Sequence, residues 1–157
     1  MDTIHFDIQK SNIEDYLTTA IFVNNIDLKD ILFQVEQSQI KDPSLINIAG
    51  AYEGISPYIA FHLKNHFLKD TIREYQYYGD RFTLMEYANT GIPGDHTITC
   101  QIDICKDVVE WSNFKNFDSL TAIEFDYSDI GSFRFERKQY EAAISTLCNN
   151  QIKELYV

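Results

Sequence analysis

The chain has 157 residues, of which 45% are apolar and 14% aromatic, and its 24 Asp and Glu against 13 Lys and Arg give a formal net charge of −11. A chain of this length and apolar content can bury a substantial core, so the acidity does not indicate a disordered segment, and we expect a single domain over residues 1–157. A strongly negative surface repels nucleic acid and membranes, which excludes both as expected partners, and it attracts cationic ones.

The first part of the chain predicts a β-β-α unit. Apolar and polar residues alternate over Thr3–Gln9, which is typical of a half-buried strand, and the β-branched and aromatic run of Tyr16–Asn24 predicts a second one. Asp27 can then cap a helix, because its carboxylate can accept from the free N–H groups of the first turn. Apolar residues at helical spacing continue this helix to about Ser38.

The middle of the chain is less regular. Residues 39–58 are weakly patterned and interrupted by Gly and Pro, so we expect irregular structure there, and such a loop could also carry recognition. Apolar residues at helical spacing predict a helix over Tyr58–Asp70. The aromatic stretch Tyr75–Gly79 resembles a turn, Arg81–Tyr87 alternates imperfectly as a strand does, and Asn89–Asp95 is a loop.

The C-terminal part predicts four more strands and a helix. The segments, in chain order, are the strands Thr97–Cys105, Val108–Phe114, Ile123–Tyr127 and Phe133–Phe135 and the helix Arg137–Asn149. The short turn between the first two predicts a hairpin. Together with the earlier segments, these elements predict an α+β fold with one antiparallel sheet of about six strands and about three helices.

Two histidines have a spacing that occurs in zinc sites. His62 and His66 are four residues apart, which would place both imidazoles on one face of the predicted helix. In zinc hydrolases of this pattern a Glu follows the first histidine, whereas this chain has Leu63. We therefore expect a partly exposed helix face, and a metal site is the less favoured alternative.

The cysteines also lack a recognised metal motif. His96, Cys100 and Cys105 are close in sequence, but a thiolate zinc site needs a closely spaced pair and a matching second pair. Cys100 and Cys105 would face opposite sides of a strand, so Cys100 is expected to be a buried thiol. With Cys148 the total is three, which argues against a disulfide framework. The N-terminus lacks a secretory pattern, so we expect a cytoplasmic protein. Because neither the histidines nor the cysteines match a metal motif, we expect no cofactor or metal.

The segment Asn116–Phe133, which includes the predicted strand Ile123–Tyr127, alternates carboxylates with aromatic residues. A solvated strand face is the simpler interpretation, but an acidic surface with aromatic anchors is also the composition that binds a basic protein. We identify six candidate partner-binding residues in it: Asp118, Glu124, Phe125, Asp126, Tyr127 and Asp129.

Several segments of the chain together form a recognisable pattern. They are Val109-Glu110-Trp111-x-x-Phe114, Tyr127, Gly131-x-Phe133-x-Phe135-x-Arg137-x-Gln139-Tyr140-Glu141-Ala142-Ala143, Asn25-x-Asp27-Leu28 and Ile48-Ala49-Gly50-x-Tyr52. This pattern resembles a family of small bacterial proteins that are similar to the immunity proteins encoded beside contact-dependent toxins. The resemblance implies an inhibitor, itself not an enzyme, that binds a cationic toxin domain such as a nuclease and covers its active site. In the family that the chain resembles, many members have a Cys-rich stretch. The corresponding stretch here, Glu86–Thr99, contains no cysteine, so the resemblance implies no metal role for it. Trp111 and the aromatic residues of Phe133–Tyr140 are expected in the core.

Two other functions remain open on the sequence. One is a small metal-dependent enzyme that uses a carboxylate pair or His62 and His66. The other is a self-associating adaptor, and the sequence does not distinguish a monomer from a dimer. Metal content after purification and the oligomeric state would separate these alternatives from the inhibitor.

Overall fold

The computed structural model describes residues 1–13, 15–75 and 79–150. These residues form a 3-stranded and a 5-stranded antiparallel sheet with two α-helices, so the predicted α+β class is confirmed and the single sheet of six strands is wrong. The strands are β1 (Ile4–Lys10), β2 (Leu17–Val23), β3 (Ile26–Asp27), β4 (Tyr52–Gly54), β5 (Phe82–Tyr87), β6 (Thr97–Ile104), β7 (Val108–Phe117) and β8 (Phe133–Glu136), and the α-helices are α1 (Leu28–Glu36) and α2 (Arg137–Asn150). Short 3₁₀ turns cover Gln37–Gln39, Pro43–Ile48, His66–Leu68 and Arg73–Tyr75, and a π-helical turn covers Tyr58–Leu63.

The first sheet has the order β1-β2-β3 and leads directly into α1. Asn24 and Asn25 both adopt left-handed backbone angles, with φ of 53° and 64°, which is the geometry of the tight turn that pairs β2 with β3. The Asp27 carboxylate then accepts a hydrogen bond from Lys29 N at 3.1 Å and caps α1. The predicted β-β-α unit is therefore confirmed, with the short β3 as an addition.

The second sheet is a meander with the order β4-β5-β6-β7-β8, in which each strand pairs with the next along the chain. The predicted β6–β7 hairpin is confirmed, and β7 continues to Phe117, beyond the predicted end at Phe114. A register shift between Thr99 and Gln101 marks a bulge in this pair. The weakly patterned region 39–58 supplies β4, which pairs with β5.

The two sheets meet where β2 approaches the end of β4. Thr19 N donates to Ile55 O at 2.8 Å, and a Cβ at Gly54 would lie 1.6 Å from Thr19 O. Only glycine allows this close approach of the two backbones. The glycine thus joins the sheets at a fixed separation.

Aromatic side chains form the centre of the core, which is one cluster that includes residues of both sheets. Trp111 is fully buried and donates from Nε1 to Tyr140 Oη at 3.1 Å, and Tyr140 Oη donates to Phe67 O. This chain of bonds satisfies the polar atoms of both large rings. The prediction that Trp111 and the Phe133–Tyr140 aromatics belong to the core is confirmed, since Phe133, Phe135 and Tyr140 are also buried.

Two predicted elements are wrong. The helix over Tyr58–Asp70 is broken into a π-helical turn and a 3₁₀ turn, because the backbone becomes extended at Lys64, where φ is −141° and ψ is 173°. The strand over Ile123–Tyr127 is absent: these residues have neither strand nor helix. The turn predicted over Tyr75–Gly79 lies largely outside the described residues. Among the helices of the described segments, none has the length and hydrophobicity that crossing a membrane requires.

Candidate functional site

Residues 118–131 lie between β7 and β8, have no regular secondary structure and contain all six candidate binding residues. We call this segment the acidic loop. Its backbone lies outside both sheets, so its polar groups need other partners. Asn116 of β7 and Gln39 of the 3₁₀ turn after α1 bind part of this backbone, and Glu36 of α1 binds the Tyr127 side chain.

The loop begins at Asp118, whose side chain is 1% exposed. Asp118 Oδ1 accepts from Leu120 N and Thr121 N at 2.9 and 2.8 Å, and Oδ2 accepts from Thr121 Oγ1 at 2.8 Å. The carboxylate therefore closes a turn of its own backbone. This burial removes Asp118 from the predicted binding residues.

The middle of the loop is held by two side-chain amides. Asn116 Nδ2 donates to Ile123 O at 2.8 Å, and Phe125 N donates to Asn116 Oδ1 at 3.0 Å. Gln39 binds Asp126 in the same reciprocal way, with both bonds at 2.7 Å. These amides take the place of a neighbouring strand, which explains why the alternating segment does not join the sheet.

The buried carboxylate of Glu36, at the end of α1, holds the next part of the loop. Its oxygens accept from Tyr127 Oη at 2.6 Å, Tyr52 Oη at 2.7 Å and Gly50 N at 3.0 Å. Burial raises the pKa of Glu36, while the hydrogen bonds oppose that rise. Burial and the nearby Glu36 also raise the pKa of both tyrosines, which stay protonated and donate.

His96 lies beside this network. Its ring stacks on Tyr52 with centroids 4.6 Å apart, Nε2 is 3.1 Å from Ile48 O, and Nδ1 is 3.1 Å from Asp118 Oδ2. A carbonyl oxygen only accepts, so Nε2 carries the hydrogen. Burial lowers the pKa of His96, against the opposing effect of Asp118. Both side chains of this His–Asp pair are 1% exposed, so the pair is enclosed in the fold and does not meet a substrate.

The other histidine pair does not form a site. His66 is buried, with Nδ1 bonded to Thr71 Oγ1 and Nε2 bonded to Thr83 O at 2.6 Å, and burial lowers its pKa to about 4. His62 is exposed, and its ring lies 4.9 Å from that of Tyr58. The prediction of two partly exposed histidines on one helix face is therefore wrong, because the chain breaks between them to bury His66.

Cys100 is fully buried, as predicted, and Cys105, which follows the end of β6, is exposed. Burial raises the pKa of the Cys100 thiol, so it stays protonated in the core. Within residues 1–13, 15–75 and 79–150, no three His, Cys, Asp or Glu side chains are grouped so that they could hold a metal ion.

The aromatic residues of the acidic loop point inward. Phe125 and Tyr127 are 8% and 5% exposed, and the Phe125 ring packs edge-on against Tyr127 at 6.2 Å. Both side chains are thus part of the core and cannot serve as surface anchors. These aromatic side chains and the acidic ones next to them in sequence do lie on opposite sides of the loop, but the aromatic ones face the core and stabilise the loop.

The remaining candidates, Glu124, Asp126 and Asp129, are exposed. Asp126 Oδ1 accepts from Ser128 N at 2.9 Å, and these bonds to Ser128 lower the pKa of Asp126. The loop therefore presents carboxylates outward from a backbone that is fixed on its inner side.

A groove lies next to the acidic loop, between α1 and the start of β8, and it has a volume of about 510 Å³. Its walls are mainly apolar, and Asp30 and Asp129 also line it. The apolar lining residues are Ile26, Ile31, Val35, Ile130 and Phe133. We call this feature the α1 groove. Sequence reasoning did not identify it, because its two walls come from opposite ends of the chain.

Comparisons with protein-family models, with curated proteins and with solved structures find no match to this chain. The resemblance to immunity proteins therefore stays a prediction. We argue the function below from the charges and contacts of the described residues.

Proposed function

We propose that this protein is an immunity-type inhibitor, which acts in the cytoplasm by binding a cationic toxin domain such as a nuclease and covering its active site. The observation that carries this proposal is the acidic loop. Its outer side presents Glu124, Asp126 and Asp129, and its inner side is held by hydrogen bonds to Asn116, Gln39 and Glu36.

A fixed loop favours binding because little conformational entropy is lost when the partner docks. Asn116, Gln39 and Glu36 each hold a different part of the loop. The carboxylates are thus positioned before the partner arrives. A basic protein with Lys and Arg at matching positions would find them already in place.

The overall charge supports the same partner. A net charge of −11 produces a field that steers cationic proteins toward the chain and raises their association rate. An enzyme that cleaves nucleic acid binds phosphates with basic residues. Carboxylates set against those residues would compete with the phosphate backbone, which is the proposed mode of inhibition.

The alternative of a metal-dependent enzyme has less support from the geometry. His62 and His66 lie in separate helical turns, and His66 uses both ring nitrogens within the core. The buried pair of His96 and Asp118 is closed to substrate. We therefore retain protein binding as the proposal.

The test begins with the tagged protein as bait in a lysate of the source cells, washed at low and then at high salt. We expect one basic protein, bound in equimolar amount and weakened by salt. The partner is then purified and its activity is measured with and without one equivalent of the chain. Loss of that activity supports the inhibitor, whereas a partner that remains fully active in the complex contradicts it.

A further inference from the structure

We propose that the α1 groove binds a segment of the partner in which an apolar side chain stands next to a Lys or Arg. This inference rests on the proposed function and specifies the chemistry that the partner must offer. It is carried by the apolar walls of the groove, by the carboxylates beside them and by the continuity of the groove with the acidic loop.

The groove exposes apolar surface to water. Ile26 is 52% exposed, and Ile31, Val35 and Ile130 pack on the core with one side while lining the groove with the other. An apolar side chain that entered the groove would remove this surface from water. The volume of about 510 Å³ accommodates one or two large side chains of a partner.

The charges beside the groove favour a positively charged partner. Asp30 lies in the first turn of α1 and Asp129 lies in the acidic loop, so two carboxylates from different elements line one groove. The lining set contains no Lys or Arg among the residues that the structure describes. A cation next to the apolar anchor would therefore meet unlike charges. A second copy of the chain would bring the same carboxylates to the interface, and charge repulsion disfavours it.

The groove is also preformed. The Asp27 carboxylate caps α1 on one side, and on the other side Gln39 and Glu36 hold the acidic loop shortly before Asp129. Asp129 and Ile130 belong both to the loop and to the groove. A partner can thus contact the outer carboxylates and the groove at the same time, which makes the two parts of one interface.

The probes are two short synthetic peptides of equal length. One combines Leu with Lys, and the other has Glu at every Lys position. Each is added to the ¹⁵N-labelled full-length chain, and amide shifts are followed by NMR. We expect the Lys peptide to shift the amides that line the α1 groove, and the Glu peptide to leave them unchanged.

Substitutions then test the groove directly. The double variant Asp30→Asn and Asp129→Asn should lower the affinity for the Lys peptide by about fivefold or more, and Ile26→Ser should lower it by a similar factor. The matched controls are Asp7→Asn with Asp103→Asn for charge and Ile92→Ser for apolar area, since Ile92 is 55% exposed and does not line the groove. Both controls should leave the affinity unchanged. Thermal unfolding of each variant establishes that it is folded.

Three results would overturn the inference. Shifts confined to other acidic surfaces, equal binding of both peptides, or a homodimer that Ile26→Ser dissociates would each show that the groove has a different role. The first of these leaves the inhibitor proposal intact, because the natural partner could use the outer carboxylates alone. Failure of the inhibitor proposal is seen separately, as a captured partner whose activity the chain does not change.

Discussion

The side-chain amide of Gln39 and the main chain of Asp126 exchange two hydrogen bonds, each 2.7 Å long. This pair joins the 3₁₀ turn after α1 to the middle of the acidic loop. The same pattern of an amide bonded to the loop backbone recurs at Asn116. The outward direction of the carboxylates therefore depends on the buried side chain of Asn116 and the half-buried side chain of Gln39.

Replacing Gln39 should release the middle of the loop. In Gln39→Ala, Asp126 N and O lose their bonds, and we expect a loss of about 1–2 kcal/mol in the free energy of unfolding. Hydrogen exchange at the Asp126 amide should accelerate much more than exchange in β6. Gln37→Ala is the matched control, because the Gln37 side chain donates to Gln34 Oε1 at 3.2 Å, on the surface and away from the acidic loop. Unchanged exchange at Asp126 would show that Gln39 does not hold the loop.

Removing one tyrosine hydroxyl from the hydrogen bonds around Glu36 should destabilise the protein in a pH-dependent way. In Tyr127→Phe the buried carboxylate loses one of its donors, so the pKa of Glu36 should rise further. The folded state then favours the protonated acid more strongly, and the loss of about 1–3 kcal/mol should grow as pH rises through the pKa of Glu36.

Urea unfolding at several pH values measures this dependence, and NMR titration of the Glu36 side-chain carboxyl follows its pKa directly. Tyr87→Phe is the control, because the Tyr87 hydroxyl accepts an exposed hydrogen bond from Asn89 Nδ2 at 2.9 Å and takes no part in the Glu36 network of hydrogen bonds. A loss in Tyr127→Phe that is equal at all pH values would contradict the role assigned to Glu36.

Local sequence patterns predicted the parts of the fold that depend on local interactions. The β-β-α opening follows from alternation and from a cap at Asp27, and the β6–β7 hairpin follows from two alternating stretches around a short turn. These signals act over a few residues. They are therefore visible without knowledge of the rest of the chain.

The errors arise where a distant residue decides the outcome. The segment Ile123–Tyr127 has the alternation of a strand, but Asn116 and Gln39 supply its hydrogen bonds in place of a strand. The segment Tyr58–Asp70 has helical spacing, but the burial of His66 against Thr83 breaks the helix. The local pattern of each segment does not show which distant residue will bind it.

In the candidate site, too, the features set by local sequence were predicted and those set by distant residues were not. The alternation of acids and aromatics predicted which residues share a face, and Glu124, Asp126 and Asp129 are indeed exposed. It could not predict that Asp118 turns inward onto His96, because that contact joins the loop to the start of β6. The α1 groove depends on the approach of Ile26 to Phe133, two residues from opposite ends of the chain.

A buried glutamate should make stability depend on pH near neutrality. Glu86 accepts a hydrogen bond from Thr97 Oγ1, its Oε2 has no hydrogen-bond partner among the described residues, and burial raises its pKa to about 7. Between pH 4.5 and 7 the folded state binds a proton that the unfolded state has released. The stability contributed at low pH is therefore lost as pH rises to 7.

The variant Glu86→Gln removes this titration. Its free energy of unfolding relative to the parent should increase by about 3 kcal/mol between pH 4.5 and pH 7, as a pKa difference of this size implies. Urea unfolding at the two pH values measures it, and Glu124→Gln on the exposed side of the loop is the control. A difference that does not change with pH would mean that Glu86 does not titrate in this range.

Charge reversal on the acidic loop should slow the capture of a cationic partner. Glu124→Lys, Asp126→Lys and Asp129→Lys together remove the outward negative charge, and we expect the association rate to fall about tenfold and its dependence on salt to become weaker. Dissociation should change less, because exposed charges act mainly on the encounter. Stopped-flow mixing with the purified partner measures both rates.

The control for this variant carries the same net charge in a different place. Asp7→Lys, Asp103→Lys and Asp107→Lys also replace three exposed carboxylates, on β1, on β6 and in the turn that follows it. If steering depends only on net charge, both triple variants should slow association equally. If the acidic loop is the binding surface, its variant should be slower than the control, and the difference should decrease at high salt, since screening reduces both effects. Equal rates for the two variants would therefore place the interface elsewhere on the protein.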